Sequence, residues 1–249
     1  MRILSAATIF SLHLKESTAG HRYCFTMKAP IRSIIALLAI SVTAFAESDW
    51  KPIFNGKNLD GWEGDPRLWS VVDGVLVGES DDDARRIERN SFLIWQGGEP
   101  ADFELEFQAR ITTPNNNSGV QYRSRKLDED GWRVVGYQFD LHPEQKYNAM
   151  LYEEGGRAIV AERGQHVRIG GEKKVVGTMD VIEVDLTEWH TYRLVVKGHR
   201  YEHYVNGELQ TVIEDEDEEK RADSGIIALQ LHQGPAMKVE FKEMRLRED

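Results

Sequence analysis

From Trp50 onward, apolar and polar positions alternate with a period of two in short runs, and helical periodicity is almost absent. Successive side chains of a strand point to opposite faces, so such runs predict half-buried strands. Phe103, Leu105 and Phe107 alternate with Glu104, Glu106 and Gln108. Further strands are expected over residues 118–123, 134–142, 149–153, 189–196, 201–205, 209–213, 225–232 and 237–246. Asp73-Gly74 and Asn206-Gly207 sit between such runs, and a tight hairpin turn needs positive φ at both of those positions. About a dozen short strands with regular turn signals predict an all-β chain folded as one antiparallel sandwich. The run Asp215-Glu216-Asp217-Glu218-Glu219-Lys220 is expected outside the core, as a solvated loop or short helix.

The segment before Trp50 follows a different pattern. Met27 to Arg32 is basic, residues 34–46 form an apolar run, and Ala44-Phe45-Ala46 precedes the polar Glu47-Ser48-Asp49. This order is that of a secretory leader cleaved after Ala46, and the run is short of the ~20 residues a membrane span needs. Residues 1–26 precede a complete leader and read as a gene-model extension, with 47–249 as the mature domain. The expected location is periplasmic or extracellular, with no membrane span. The chain has 31 basic and 42 acidic residues, a net charge of −11. Residues 1–46 hold five of the basic and one of the acidic residues, so the mature part carries 26 against 41, or −15. Such a surface repels phosphate backbones, and a nucleic-acid partner is not expected. Cys24 lies in the leader region, which leaves the mature part without a thiol.

Two alternating runs carry unusual polar sets. Gln138, Asp140 and His142 would share one strand face while Tyr137, Phe139 and Leu141 enter the core; Ala228, Gln230 and His232 repeat the arrangement around Leu229 and Leu231. An amide, a carboxylate and an imidazole in a row predict a polar groove on one sheet, of the kind that handles sugars. Two ordinary half-exposed strands would give the same spacing.

Several segments occur in a specific order: Trp50-Lys51-Pro52-Ile53-Phe54-Asn55-Gly56, Trp69-Ser70-Val71-Val72-Asp73-Gly74, Asn117-Ser118-Gly119-Val120-Gln121-Tyr122-Arg123, Glu188-Trp189-His190 and His203-Tyr204-Val205-Asn206-Gly207. The series ends with Gly225-Ile226-Ile227-Ala228-Leu229-Gln230-Leu231-His232. Over residues 50–247 this order resembles the 3-keto-disaccharide hydrolase domain family, and the resemblance implies a concanavalin A-like jelly roll. It also implies hydrolytic cleavage of sugars already oxidised at C3. A C3 ketone acidifies the C2 proton, so a modest base can remove it; the enolate then expels the C1 substituent, and water adds back. Such a site needs a base near C2, donors for the enolate oxygen and an acid at the leaving group.

Within that scheme Asp140 is the expected base, unless it serves as a salt-bridging carboxylate with Arg157. His232 is expected as acid or base, Arg123 as a two-pronged donor on the face of Gln121, and Glu153 as a second carboxylate. Gln138, Gln230, Gln121, Tyr152 and His142 are expected to bind and orient the sugar. Trp50, Trp62, Trp69 and Trp189 read as packing residues more than sugar platforms. Glu104 and Glu106 read as plain exposed charges. No compact ligand motif assigns a metal, no cofactor is expected, and a Ca²⁺ ion in the sandwich is left open. A non-catalytic glycan-binding module and a structural surface domain are the competing classes, because one fold serves many functions.

Overall fold

The computed structural model describes residues 49–113, 116–128 and 131–248. The leader, the start at Met27 and Cys24 lie outside the described residues. In chain order the strands are β1 (Lys51–Pro52), β2 (Trp62–Glu63), β3 (Trp69–Val72), β4 (Val75–Glu79), β5 (Ser91–Trp95), β6 (Phe103–Ile111), β7 (Ser118–Lys126), β8 (Val134–Leu141) and β9 (Leu151–Glu154). They continue with β10 (Ala158–Ala161), β11 (Gln165–Gly170), β12 (Glu172–Thr178), β13 (His190–Lys197), β14 (Arg200–Val205), β15 (Glu208–Asp215), β16 (Ile226–Leu231) and β17 (Lys238–Glu248). No helix occurs among the described residues, and so none is long and apolar enough to cross a membrane.

The strands form two sheets. The larger runs β12-β11-β15-β14-β13-β6-β17-β4-β3, with β1 also on β17; the smaller runs β10-β9-β8-β7-β16-β5-β2. Their inner faces supply one apolar cluster, so the expected sandwich is present. Alternation decides which side chains enter it. Along β6 every odd residue from Phe103 to Ile111 is buried, and Phe107 stacks on Tyr192 at 5.4 Å between ring centres. Burying a side chain of that size stabilises the fold by roughly 1.5–3 kcal/mol. Both hairpin turns have the expected backbone: φ is 49° and 81° at Asp73-Gly74, and 51° and 85° at Asn206-Gly207.

Three expectations change. β11 pairs β15 in parallel, from His166–Val212 to Ile169–Asp215. The reason is topological: β10 belongs to the smaller sheet, so the chain changes sheets before β11 and enters beside β15 in the same direction. Secondly, Asp215 ends β15 inside the core, with no exposure at all. Its carboxylate accepts from the Tyr137 hydroxyl at 2.7 Å and from Arg157 Nη2 at 2.5 Å, which offsets the cost of burying the charge. Lastly, only Trp62 and Trp69 are core residues. Trp50 and Trp189 are half-buried on the outside of the larger sheet; Arg245 and Arg247 lie over Trp50, and Arg110 and Lys242 over Trp189.

Candidate functional site

The outer face of the smaller sheet carries a cavity of about 400 Å³ whose floor is the two polar rows. Gln138, Asp140 and His142 come from β8 and its end, Gln230 and His232 from β16 and its end, and β7 runs between them. Gly119 on β7 pairs with Asp140, and the adjacent Val120 pairs with Leu229, so Gly119 separates Asp140 from Gln230. The glycine is required there. A Cβ on residue 119 would stand 2.6 Å from Cγ of Gln138, because that side chain lies flat across it. Asn117 lines the same cavity one alternation further along, with its Oδ1 buried and without a hydrogen-bond partner among the described residues.

A chain of amides orients this floor. Ser124 Oγ donates to Gln121 Oε1 at 2.7 Å, and Gln121 Nε2 donates to Gln138 Oε1 at 3.0 Å. Gln138 Nε2 in turn donates to Asp140 Oδ1 at 2.7 Å and to Gln230 Oε1 at 3.3 Å. Each amide is thereby set in one orientation, and Gln230 keeps its Nε2 hydrogens for the cavity. Gln121 is fully buried behind Gln138 and does not line the cavity; it acts on the site through that amide.

Asp140 is almost completely buried and makes no ion pair among the described residues. Burial therefore dominates its titration and raises the carboxyl to about 7; the Gln138 hydrogen bond opposes the shift and the nearby Glu154 charge adds to it. Glu154, also lining the cavity, is raised as well, again chiefly by burial. Asn90 Nδ2 approaches its Oε2 at 3.4 Å. Two carboxyls with elevated affinity for protons thus share one polar pocket.

The two histidines at the rim present opposite hydrogen-bonding characters. Nδ1 of His232 lies 2.6 Å from the Gln233 carbonyl oxygen, which only accepts, so Nδ1 carries the hydrogen and the neutral ring keeps a lone pair on Nε2. Nδ1 of His142 accepts from the Glu144 backbone N–H at 3.0 Å, so the neutral ring carries its hydrogen on Nε2. Partial burial lowers the pKa of both rings, which favours these neutral forms.

Besides Gln121, two expected members are elsewhere. Arg123 sits in a β-bulge, where Arg123 and Ser124 face Gly136 between the Tyr122–Tyr137 and Arg125–Val135 pairs. Its φ of 44° turns the side chain away from the face of Gln121. The guanidinium donates to the carbonyls of Ala101, Gly198 and Ala222 and to Asp102 Oδ1, and none of it reaches the cavity. Glu153 also points away: β9 alternates, so Tyr152 and Glu154 face the cavity while Glu153 pairs with Arg157 behind the sheet. Tyr152 thus lies where it was expected, and parity was the signal that should have replaced Glu153 by Glu154. Asn90 and Asn117 were missed because neither belongs to a polar row within a strand.

Among the described residues no group of three or more His, Asp or Glu is placed to hold a metal ion. Solved structures share the fold. A candidate glycosyl hydrolase from Parabacteroides distasonis is 19% identical, with 80% of this chain and 99% of that one covered at a TM-score of 0.54. A β-glucanase from Bacillus licheniformis is 11% identical over 80% and 97% of the two chains, also at 0.54. A carbohydrate-binding module from Bacillus subtilis is 16% identical over 76% and 96%, at 0.50. These likenesses establish the jelly-roll sandwich expected from the sequence. No curated protein matches the chain by sequence. The ordered motifs do identify it: residues 49–247 match the 3-keto-alpha-glucoside-1,2-lyase-like domain, and the chain belongs to that family.

Proposed function

We propose that the cavity cleaves glycosides already oxidised at C3, by removing the C2 proton, eliminating the C1 substituent and hydrating the product. The observation that carries this reading is Asp140, a carboxyl without a cationic partner among the described residues that burial holds near pKa 7. The ketone lets a modest base remove the C2 proton, and a carboxylate poised near neutrality accepts it with more driving force than an ordinary one. In this scheme Asp140 takes the C2 proton and the electron pair forms the enolate. His142 Nε2–H and Gln230 Nε2–H donate to the enolate oxygen. The enolate re-forms the ketone as the C1–O bond breaks, and the Glu154 carboxyl protonates the departing oxygen. Water then adds at C1 of the conjugated product; Glu154 takes its proton, and Asp140 returns one to C2. His232, whose Nε2 is an acceptor, holds a sugar hydroxyl, a different task from the acid or base role expected from the sequence.

Incubation in deuterium oxide with a 3-keto-glycoside and with its unoxidised parent tests the scheme. The expected outcome is cleavage of the ketone alone, with deuterium at C2 of the product. Cleavage of both compounds, or no label at C2, would reject it.

The amide-lined floor favours one other reading, a carbohydrate-binding module without turnover. Binding of unoxidised sugars together with inertness toward every 3-keto-glycoside would select it. We also infer export, from the leader at residues 27–46. N-terminal sequencing of protein from its native host should begin at Glu47, and recovery of residues 1–26 would refute both the start site and the cleavage site.

A further inference from the structure

One wall of the cavity is the segment 143–150, which joins β8 to β9 and contributes Tyr147 and Met150. It also sets the neighbouring histidine. His142 carries its hydrogen on Nε2 because the Glu144 N–H occupies Nδ1, at 3.0 Å. The shape of this segment is imposed from outside, for Ala149 has a φ of 68°, a left-handed backbone that alanine adopts only at a cost. Two holds impose it. On the core side the Ala149 carbonyl accepts from His203 Nδ1 at 3.0 Å and from Thr211 Oγ1 at 2.7 Å. The other hold is Arg163, in the turn between β10 and β11.

The backbone N–H of Arg163 donates to the Lys146 carbonyl at 3.0 Å. Its Nη1 donates to Gln145 Oε1 at 2.9 Å and to the Gln145 carbonyl at 3.3 Å. Its Nε donates to Gln210 Oε1 at 2.8 Å, and its Nη2 to the Ile182 carbonyl at 2.5 Å. Gln145 in turn brackets Val184: its Nε2 donates to that carbonyl at 2.6 Å, and its Oε1 accepts that N–H at 3.2 Å. Arg163 is buried, 6% exposed, and makes no ion pair among the described residues. Burial lowers its pKa, as it must for a cation surrounded by neutral oxygens. An apolar side chain of the same volume would fill the space without that cost. What the guanidinium alone supplies is a planar fork that reaches residues 145, 182 and 210 at once.

We propose that Arg163 is a positioning residue of the site: from behind the wall it grips residues 145 and 146, holds the adjoining Glu144 N–H against His142, and so keeps the imidazole hydrogen on Nε2. The inference rests on the proposed function for the use made of that hydrogen, which is donated to the enolate oxygen. The tautomer itself is a property of the free protein. Once the grip is lost, the Glu144 N–H leaves Nδ1 and the ring exchanges its hydrogen between the two nitrogens. A ring that shows the Nε2 lone pair repels the enolate oxygen where it should donate to it.

Nitrogen-15 NMR of the protein labelled at histidine reads the tautomer directly, at about pH 8, where the ring is neutral. The signals of His142 are those that disappear in H142Q. In the unmodified protein they should be those of a ring with its hydrogen on Nε2 alone; in R163M the two nitrogens should move toward a common, averaged shift. Q145M removes one of the gripped groups and leaves the Arg163 bonds to Gln210 and Ile182 in place, so it should show the same change, and it carries the test if R163M does not fold. Turnover of a 3-keto-glycoside separates positioning from general stability. R163M should lower kcat about tenfold with KM within about twofold, and in the H142Q background it should cause no further loss. A His142 ring that keeps its hydrogen on Nε2 in both variants, or an equal loss with and without the imidazole, would overturn the proposal. A changed tautomer in a protein that cleaves no 3-keto-glycoside removes the chemistry and keeps the positioning; turnover with an unchanged tautomer in both variants does the reverse.

Discussion

The two outer faces of the sandwich use the same kinds of residue and reach opposite electrostatic results. On the larger sheet, Glu104 accepts from Arg193 and Arg247, and Glu106 from Arg245. Burial pushes the Glu104 carboxyl up, but the hydrogen bonds from Arg247 and Arg193 outweigh it and hold it below the usual range. On the smaller sheet, Asp140 and Glu154 meet amides, and burial raises both. Both sets occupy alternate positions on β-strands, so the strand pattern does not distinguish them. What differs is the partner: arginines from neighbouring strands on one face; on the other Gln138 from the same strand as Asp140, Gly119 across the ladder, and Asn90 from the loop before β5. A carboxylate flanked by cations is held as an anion; one flanked by amides stays ready to exchange a proton.

The strongest test of this contrast is D140N. It keeps the shape of the floor but removes the proton acceptor, and turnover of a 3-keto-glycoside should fall by about 10²–10⁴-fold. The matching change on the other sheet, E104Q, should leave turnover within about twofold. A comparable loss in both variants would erase the distinction between the faces.

Gly119 offers a second test, because its effect passes through geometry and leaves the chemical groups in place. G119A puts a methyl group into the Gln138 side chain and must displace that amide from Asp140. Strain of this kind costs about 1–3 kcal/mol, readable as a lowered midpoint in urea unfolding. The rising limb of the pH–rate profile, expected near pH 7 with Asp140 as base, should move upward once the amide no longer supports the anion. An unmoved limb would show that Gln138 does not tune Asp140.

Stability should depend on pH in the direction Asp140 dictates. Its folded pKa of about 7 lies above the ordinary 3.8, so between those values the native state binds a proton that the unfolded chain has released. Its contribution is fully present below about pH 4 and is lost as pH rises through 7, with a ceiling of about 4 kcal/mol. D140N should flatten that part of the profile and melt at a higher temperature than the unmodified protein at pH 8. An identical pH dependence in the two proteins would show that the carboxyl is not strained by burial. The smallest effect belongs to E104Q, whose loss of partly exposed ion pairs should change stability by no more than about 1 kcal/mol.

How far the sequence reveals all this depends on whether the determinant is local. Alternation located β6, β7, β8, β13, β14, β15, β16 and β17 to within a few residues, because each buries one face against the same core. The rows through Gln138–Asp140 and Gln230 were legible for the same reason, and β7 brings them together in one cavity. Arg123 was misplaced because a bulge breaks the period of two, and nothing in Tyr122-Arg123-Ser124 announces one. Glu153 was misplaced through a neglected parity: Tyr152 and Glu153 are adjacent, so one strand cannot show both to a single face. The parallel β11–β15 pair and the buried Asp215 were illegible because each depends on partners far along the chain.

The strand that carries Glu153 and Glu154 has its own protection against misregister. Glu153 is joined to Arg157, four residues on, and Arg157 is in turn joined to buried Asp215. If β9 slipped by one residue during folding, Glu154 would be driven toward the interior and Glu153 toward the cavity, with Arg157 parted from one of its two acids. The cavity would still show a glutamate, so a comparison of residue types alone would notice nothing. The core would register the error at once, as a charge left without its counterpart. Insertions or deletions in the turn at residues 155–157 should therefore be rejected by the fold before they can alter the chemistry, and changes of substrate in this protein are more accessible through the loops at residues 80–90 and 143–150 than through β9.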